Sequence, residues 1–184
     1  MRHPFETTFT DRRRTIFVLL FILTLIAMAV LNVVDGPLKT TVAPSGIVSF
    51  ELAGDVPTAQ TILDSWDAPA RVYAGFSLGF DYLFMLLYST TIAYACVWVV
   101  GGLRERRRFL GLAGLWLAWG QWLAALLDVV ENVALWRILS QGATPPWPQV
   151  AWWCAAVKFT LVILGIAYAA LVGVWASKYA TRGR

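Results

Sequence analysis

Charged residues interrupt three apolar stretches of this chain, and their types could carry acid–base chemistry. Asp81 lies in one stretch, a D-x-x-E-N motif occupies 128–132 in the next, and Lys158 lies in the last. A charged side chain at the centre of a bilayer costs about 2.5–3.5 kcal/mol on insertion scales, so such groups are expected to face one another or water and to mark functional sites. The acids Asp81, Asp128 and Glu131 are therefore the predicted catalytic residues.

The predicted depths of these residues agree. With a helical rise of about 1.5 Å per residue, Asp81, Asp128 and Lys158 each lie roughly 13–15 Å from the outer end of their stretch. Residues three and four apart share one face of a helix, so the two acids and the asparagine of the motif point the same way. The polar residues of this layer and of the adjoining helix faces, which we predict to bind a ligand, are Lys158, Asn132, Tyr88, Ser77 and Asn32.

The predicted cluster holds three acids and one lysine, which leaves an excess of negative charge in a region of low dielectric constant. One carboxyl group could stay protonated and serve as a general acid beside a general base. Alternatively, Asp81, Asp128 and Glu131 could hold a divalent cation. Arg137 could also fold back onto the acids, or the network could serve only to fix the register of the helices. His3 is the only histidine and lies in the N-terminal tail, so no haem or His-based zinc site is expected among the helices.

The stretches that carry these residues are long enough to be membrane-spanning helices. The chain is 59% hydrophobic and 14% charged, with a mean hydropathy of +0.64, which is far more apolar than a soluble domain of this size. A span needs about 20 mainly apolar residues, and four stretches meet this length: 15–34, 72–100, 109–136 and 149–176. The sequence thus predicts an all-α membrane protein, with residues 1–184 forming a single four-transmembrane-helix bundle.

The basic residues indicate how this bundle is oriented, because an excess of Lys and Arg in short loops marks the cytoplasmic side. If the helices alternate, one side receives Arg2, Arg12, Arg13, Arg14, Arg104, Arg106, Arg107, Arg108, Lys178, Arg182 and Arg184. The other side receives only Lys39, Arg71 and Arg137. We therefore predict a multi-pass protein of the inner (plasma) membrane with both termini in the cytoplasm. The net charge of +4 is attributed to this topology rather than to binding of nucleic acid.

The segment 35–70 between the first two predicted helices is the main water-exposed part of the chain. Residues 46–52 alternate partly between apolar and polar side chains, which is typical of a short strand. Asp55 can then cap an amphipathic helix that has Pro57 in its first turn. We predict a small strand-plus-helix subdomain that lies against the outer end of the bundle, either as a lid or as a covering loop without function.

The motifs in the last three predicted helices resemble those of a group of small four-helix bacterial membrane proteins that have no assigned function. The resemblance rests on FDYLF at 80–84 with Tyr88, on D-x-x-E-N at 128–132 and on Lys158. It implies that these residues act as one unit, and it implies no substrate. The general layout is also similar to the claudin-like fold, but the outer loop lacks that family's cysteine pair, so its barrier function is not implied.

Three kinds of function fit these features. The leading hypothesis is an enzyme at the outer leaflet that acts on a membrane lipid or another amphiphile, with the acids handling protons or a divalent cation and Lys158 binding an anionic group. A lipid or small-cation carrier could use the same site, and the third hypothesis is a non-catalytic subunit or assembly factor of a larger membrane complex. Small residues at Gly75 and Gly79, and at every fourth position over 165–173, favour close packing within the chain or a homodimer.

Overall fold

The computed structural model describes residues 3–6, 12–103 and 108–181. It is all-helical, with 86% of the residues in helices, and the described part of the chain contains no strand. Its α-helices are α1 (Arg13–Val34), α2 (Ile47–Glu51), α3 (Val56–Asp64), α4 (Ala68–Gly102), α5 (Arg108–Gln141) and α6 (Trp147–Thr181). Short 3-10 helices lie at Pro4–Glu6 and Gly36–Leu38.

Four of these helices are long and apolar enough to cross a membrane. They are α1, α4, α5 and the part of α6 from Trp147 to Trp175, with mean hydropathies of 2.9, 1.9, 1.5 and 2.2. The prediction of an all-α chain with four helices of membrane-spanning length is confirmed. The last three helices extend beyond the apolar stretches of the sequence, since α4 begins at Ala68, α5 ends at Gln141 and α6 begins at Trp147. Backbone hydrogen bonding continues through these more polar ends.

The chain divides into two compact units, and each long helix contributes a part to both. The loop unit comprises residues 25–86 and 126–158, whereas the terminal unit comprises the described residues up to 24, residues 87–125 and the described residues from 159 onward. All of the candidate site residues except Tyr88 belong to the loop unit.

Close contacts between α5 and α6 characterise the terminal unit. The Gln121 side-chain amide donates to the carbonyl oxygen of Leu161 at 2.9 Å, and the Tyr168 hydroxyl donates to the carbonyl oxygen of Leu110 at 2.9 Å. A Cβ atom on Gly165 would collide with the Gln121 side chain. This glycine of the small-residue pattern therefore serves packing within the chain.

The N-terminal histidine also packs in the terminal unit. His3 is buried, and its ring centroid lies 5.0 Å from the rings of both Trp119 and Trp122. Phe5 packs beside it, with ring centroids 5.5 Å from Tyr94 and 5.8 Å from Trp122. His3 lies in the N-terminal tail, and these aromatic contacts hold the first described residues against α4 and α5.

The connecting segment, residues 35–67, packs on the helices of the loop unit through one apolar core. The core contains Leu38, Phe50, Ile62, Leu63 and Trp66 from the segment, together with Ala74 and Leu78 of α4, Leu135 and Ile138 of α5, and Ala151 of α6. Trp66 Nε1 donates to the carbonyl oxygen of Leu38 at 2.9 Å, and the Ala143 N–H donates to Gln60 Oε1 at 2.9 Å. The segment is therefore held by both apolar packing and hydrogen bonds.

The predicted strand over 46–52 is wrong, because these residues form the short helix α2. Gly46 has a φ of 57°, a conformation that glycine adopts without steric cost. The Asp35 carboxylate accepts a hydrogen bond from the N–H of Ile47 at 2.7 Å, which satisfies one of the free donors at the start of the helix. The partial alternation over 46–52 gives no sign of this cap, because Asp35 lies outside those residues.

The strand-plus-helix subdomain is consequently a pair of short helices. Phe50 of α2 is 1% exposed, and its ring centroid lies 5.0 Å from that of Trp66. Asp55 caps α3 by accepting a hydrogen bond from the Thr58 N–H at 2.8 Å. The next residue, Glu51, ends α2 and reaches the candidate site described below.

Candidate functional site

Lys158 is the centre of a buried charge cluster in the loop unit. Its Nζ donates to Asp128 Oδ1 and to Glu131 Oε1, both at 2.9 Å, and lies 3.7 Å from Glu51 Oε2. Lys158, Asp128 and Glu131 are 6%, 2% and 0% exposed. Charged groups this deeply buried are rare unless they are paired, so the three helices α2, α5 and α6 meet at an ionic contact that excludes water.

The sequence places the α5 and α6 members of this cluster by simple helix geometry. Asp128 and Glu131 are three residues apart, so their side chains leave the same face of α5. From Asp128 to the end of α5 at Gln141 the helix rises roughly 20 Å, and from the start of α6 at Trp147 to Lys158 it rises roughly 17 Å. Because a short connection joins the two helices, these residues lie at matching depth.

Glu51 is the member of the cluster that the sequence did not predict. It is the last residue of α2, and its side chain is 12% exposed. Burial raises the pKa of the Glu51 carboxyl above its ordinary value of 4.5, because the Lys158 ammonium compensates only part of the lost hydration. The available signal was weak, since it consisted of one acid at the end of the largely apolar run 47–51.

Asp81 forms a second polar contact with the D-x-x-E-N motif. Asn132 Nδ2 donates to Asp81 Oδ2 at 2.8 Å, which links α4 to α5. Asn132 is buried and Asp81 is partly buried. The structure therefore brings together Asp81 with Asn132, and Asp128 and Glu131 with Lys158.

The remaining candidate residues have different surroundings. Ser77 is buried in the loop unit, Tyr88 is buried in the terminal unit, and Asn32 is exposed. Their roles as ligand-binding residues stay predictions. Arg137, which we considered as a compensating charge, donates to Gln141 Oε1 at 3.3 Å, and its guanidinium lies 5.5 Å from the ring centroid of Trp147.

The two glutamates of the cluster are incompletely satisfied. Glu51 Oε2 and Glu131 Oε2 are buried, and neither receives a hydrogen bond from the described residues. The two carboxyl groups are neighbours, because the Lys158 ammonium lies 3.7 Å from Glu51 Oε2 and 2.9 Å from Glu131 Oε1. An ionised carboxyl group can only accept hydrogen bonds, so the two groups can bond to each other only if one of them carries a proton. The Glu51–Glu131 pair is therefore the place in the cluster where a proton or a donor from a ligand would be accommodated.

The acids do not form a recognisable metal centre. Within residues 3–6, 12–103 and 108–181, no group of three or more His, Cys, Asp and Glu side chains is arranged to hold a metal ion. A divalent cation held by Asp81, Asp128 and Glu131 was one of the alternatives for this site, and it stays untested.

Helices of membrane-spanning length and a buried carboxylate–lysine cluster define the class of this molecule as a helical membrane protein with an internal ionisable site. No family model matches the chain, and neither a curated protein nor a solved structure matches it.

Proposed function

We propose that this chain is a multi-pass protein of the inner membrane whose cluster binds the polar head of a lipid or another amphiphile and exchanges protons with it. The observation that carries the proposal is the pair of buried carboxyl oxygens on Glu51 and Glu131 that lack donors beside Lys158. A buried acceptor without a donor is costly, so a ligand that supplies a proton or an N–H group would stabilise the site. With both termini in the cytoplasm, the site faces the outer leaflet.

The charge balance favours a head that carries a positive charge. Three carboxyl groups, from Glu51, Asp128 and Glu131, surround one ammonium group, and a fourth, from Asp81, is bonded to Asn132 of the same motif. The ammonium of Lys158 already has two carboxylate oxygens at 2.9 Å, so an anionic head would have to displace them and would meet further negative charge. We therefore assign Lys158 to holding Asp128 and Glu131 in place, and we propose a primary amine as the group recognised.

Each acid then has a distinct role in the proposed chemistry. Glu51 and Glu131 give and take the proton, since two neighbouring carboxyl groups can bond to each other only when one is protonated and the other is ionised. Asp128 stabilises the Lys158 ammonium, and Asp81 is oriented by Asn132. Because Glu51 belongs to the connecting segment, movement of that segment would open the site, and in this proposal the segment acts as a lid.

Retention of lipids with identical chains and different heads tests the proposal. Purified, delipidated protein in a mild detergent is mixed with dioleoylphosphatidylethanolamine or dioleoylphosphatidylglycerol, and bound lipid is counted by native mass spectrometry. We expect the wild type to retain the amine-bearing lipid at least several-fold more than the anionic one. Glu51→Gln and Glu131→Gln should each remove this preference, because the neutral amide cannot pair with the charge of the amine-bearing head.

Asp64→Asn is the matched control. It is the same change of an acid to its amide, on the same segment, at a side chain that is 63% exposed. Equal retention of both lipids by the wild type, or an equal loss of preference in the control, would contradict the proposal.

A small-cation carrier is the second candidate, because the cluster has an excess of carboxyl groups over ammonium groups. In that case the two lipids would be retained alike. Methylammonium chloride would then raise the thermal midpoint of the wild type more than that of Glu131→Gln at equal ionic strength. A non-catalytic subunit would show neither the lipid preference nor the cation effect.

A further inference from the structure

The terminal unit contains an apolar cavity of about 630 Å³ between α1, α4 and α6. One wall is aromatic: the ring centroid of Phe17 lies 5.9 Å from that of Phe21 and 5.6 Å from that of Trp98. Small residues of α4 and α6, among them Ala95 and Ala169, leave the space beside these rings open. The cavity therefore follows from the choice of small side chains opposite large rings.

Loose packing of α1 explains why this space stays open. In the most apolar part of α1 only 6% of the residues are buried, against 50% in the corresponding part of α4. Ala27 is the only residue of α1 that is fully buried. An empty apolar space forfeits dispersion contacts along its lining, so a cavity of this size is expected to be filled in a bilayer.

The hydroxyl group of Thr91 at the cavity needs no polar ligand. None of the described lining residues is charged. The hydroxyl group of Thr91 donates to the carbonyl oxygen of Leu87 at 2.7 Å and lies 2.9 Å from Thr24 Oγ1. The occupant that matches this lining is therefore itself apolar.

The volume of the cavity distinguishes between two apolar occupants, a partner helix and a hydrocarbon chain. A helix of about 10 Å diameter crossing about 30 Å of hydrocarbon fills roughly 2,400 Å³, which is far larger than the cavity. A pocket of roughly 300–1,000 Å³ is instead the size that encloses a small ligand. A whole partner helix exceeds this volume, whereas one flexible hydrocarbon chain matches its size and its apolar lining.

We propose that this cavity binds a single long hydrocarbon chain, supplied either by a fatty acid or by the tail of a membrane lipid. The proposal is independent of the function assigned to the charge cluster, since the cavity lies in the terminal unit and none of its lining residues belongs to that cluster.

Photo-crosslinking locates such a chain in the wild-type protein. The probes are palmitic acid with a diazirine on its chain and a phosphatidylcholine that carries the same acyl chain, each at one equivalent in a mild detergent. We expect labelled peptides that contain Phe17–Phe21, 92–99 and 166–173. Labelling by the fatty acid alone identifies a fatty acid as the source of the chain. Labelling by both probes shows that the tail of a membrane lipid also supplies it. Labelling spread over the exposed face of α1 at 19–33 as strongly as over these three regions would overturn the proposal.

Two substitutions that fill the cavity provide a second measurement. Ala95→Phe and Ala169→Phe act from different helices, and each should reduce labelling of the Phe17–Phe21 peptide at least tenfold. Leu171→Phe is the control, because Leu171 is on α6, is 72% exposed and does not line the cavity. Variants are compared only if their thermal midpoints and elution volumes show a folded protein. Unchanged labelling in a folded filling variant would overturn the proposal, and the wild-type labelling pattern decides the matter if neither variant folds.

Discussion

Lys158 joins two carboxylates of one helix face at 2.9 Å, with a third carboxylate at 3.7 Å. Water cannot compensate these charges, because Lys158, Asp128 and Glu131 are almost completely buried. Removing one partner of such a group typically costs 3–5 kcal/mol, on the order of the net stability of a small domain. Breaking the pairing is therefore expected to destabilise the protein whatever ligand the site binds.

A double-mutant cycle measures this dependence. Lys158→Met alone should destabilise the protein by about 3–5 kcal/mol, because it leaves buried carboxylates without a cation. Adding Asp128→Asn or Glu131→Gln should restore part of the loss, since the second change removes one unpaired charge. The thermal midpoint in one detergent is the measurement.

The control for this cycle combines Lys158→Met with Asp64→Asn. Asp64 is exposed and contacts Gln60 and Arg71, so this pair should be additive. Additive effects for both Asp128 and Glu131 would show that the cluster does not couple as its distances require, and the site proposal would fail.

At the scale of elements, the short helix α2 decides where Glu51 lies. Five residues form a helix only marginally on their own, so α2 depends on its cap and on burial of its apolar side. The cap is the Asp35 carboxylate, which accepts from the N–H of Ile47, and Phe50 supplies the buried side chain. Asp35, through the start of α2, and Trp66, through its contact with Phe50, therefore help to set the position of Glu51.

Gly46→Ala tests this dependence. A Cβ atom at this position would collide with the Asp35 carboxylate, and the positive φ adds backbone strain of about 1–3 kcal/mol. We expect faster amide exchange over 47–51 and a lower thermal midpoint. Gly36→Ala is the matched control in the same segment, because a Cβ there meets nothing within 4 Å. Equal exchange in the two variants would show that the cap does not hold α2.

At the scale of the whole molecule, the distribution of basic residues predicts the orientation in the membrane. Basic residues are concentrated in the two terminal segments and in the connection between α4 and α5, whereas the connecting segment 35–67 carries mostly acids. Reporter fusions after Arg184 and within 101–108 should read as cytoplasmic, and a fusion near Asp55 should read as external. An external reading at Arg106 would contradict both the orientation and the proposed access of the site to the outer leaflet.

The sequence by itself determined the features that depend on short-range geometry. Four helices of membrane-spanning length follow from the length and hydropathy of continuous stretches, which need no knowledge of their neighbours. The shared face of Asp128 and Glu131 follows from helical periodicity, and the depth of Lys158 follows from counting residues along α6. These arguments correctly predicted that Lys158 lies beside Asp128 and Glu131.

Only the tertiary structure decided which distant residues complete the site and how the connecting segment folds. Glu51 reaches Lys158 because α2 is capped by Asp35 and packed through Phe50, and neither contact leaves a periodic signal in the sequence. The partial alternation at 46–52 favoured a strand, but a strand needs a partner for its backbone, whereas a capped helical turn satisfies its hydrogen bonds locally. Contacts between segments far apart in the chain depend on packing, and packing is not encoded in the spacing of residues within one segment.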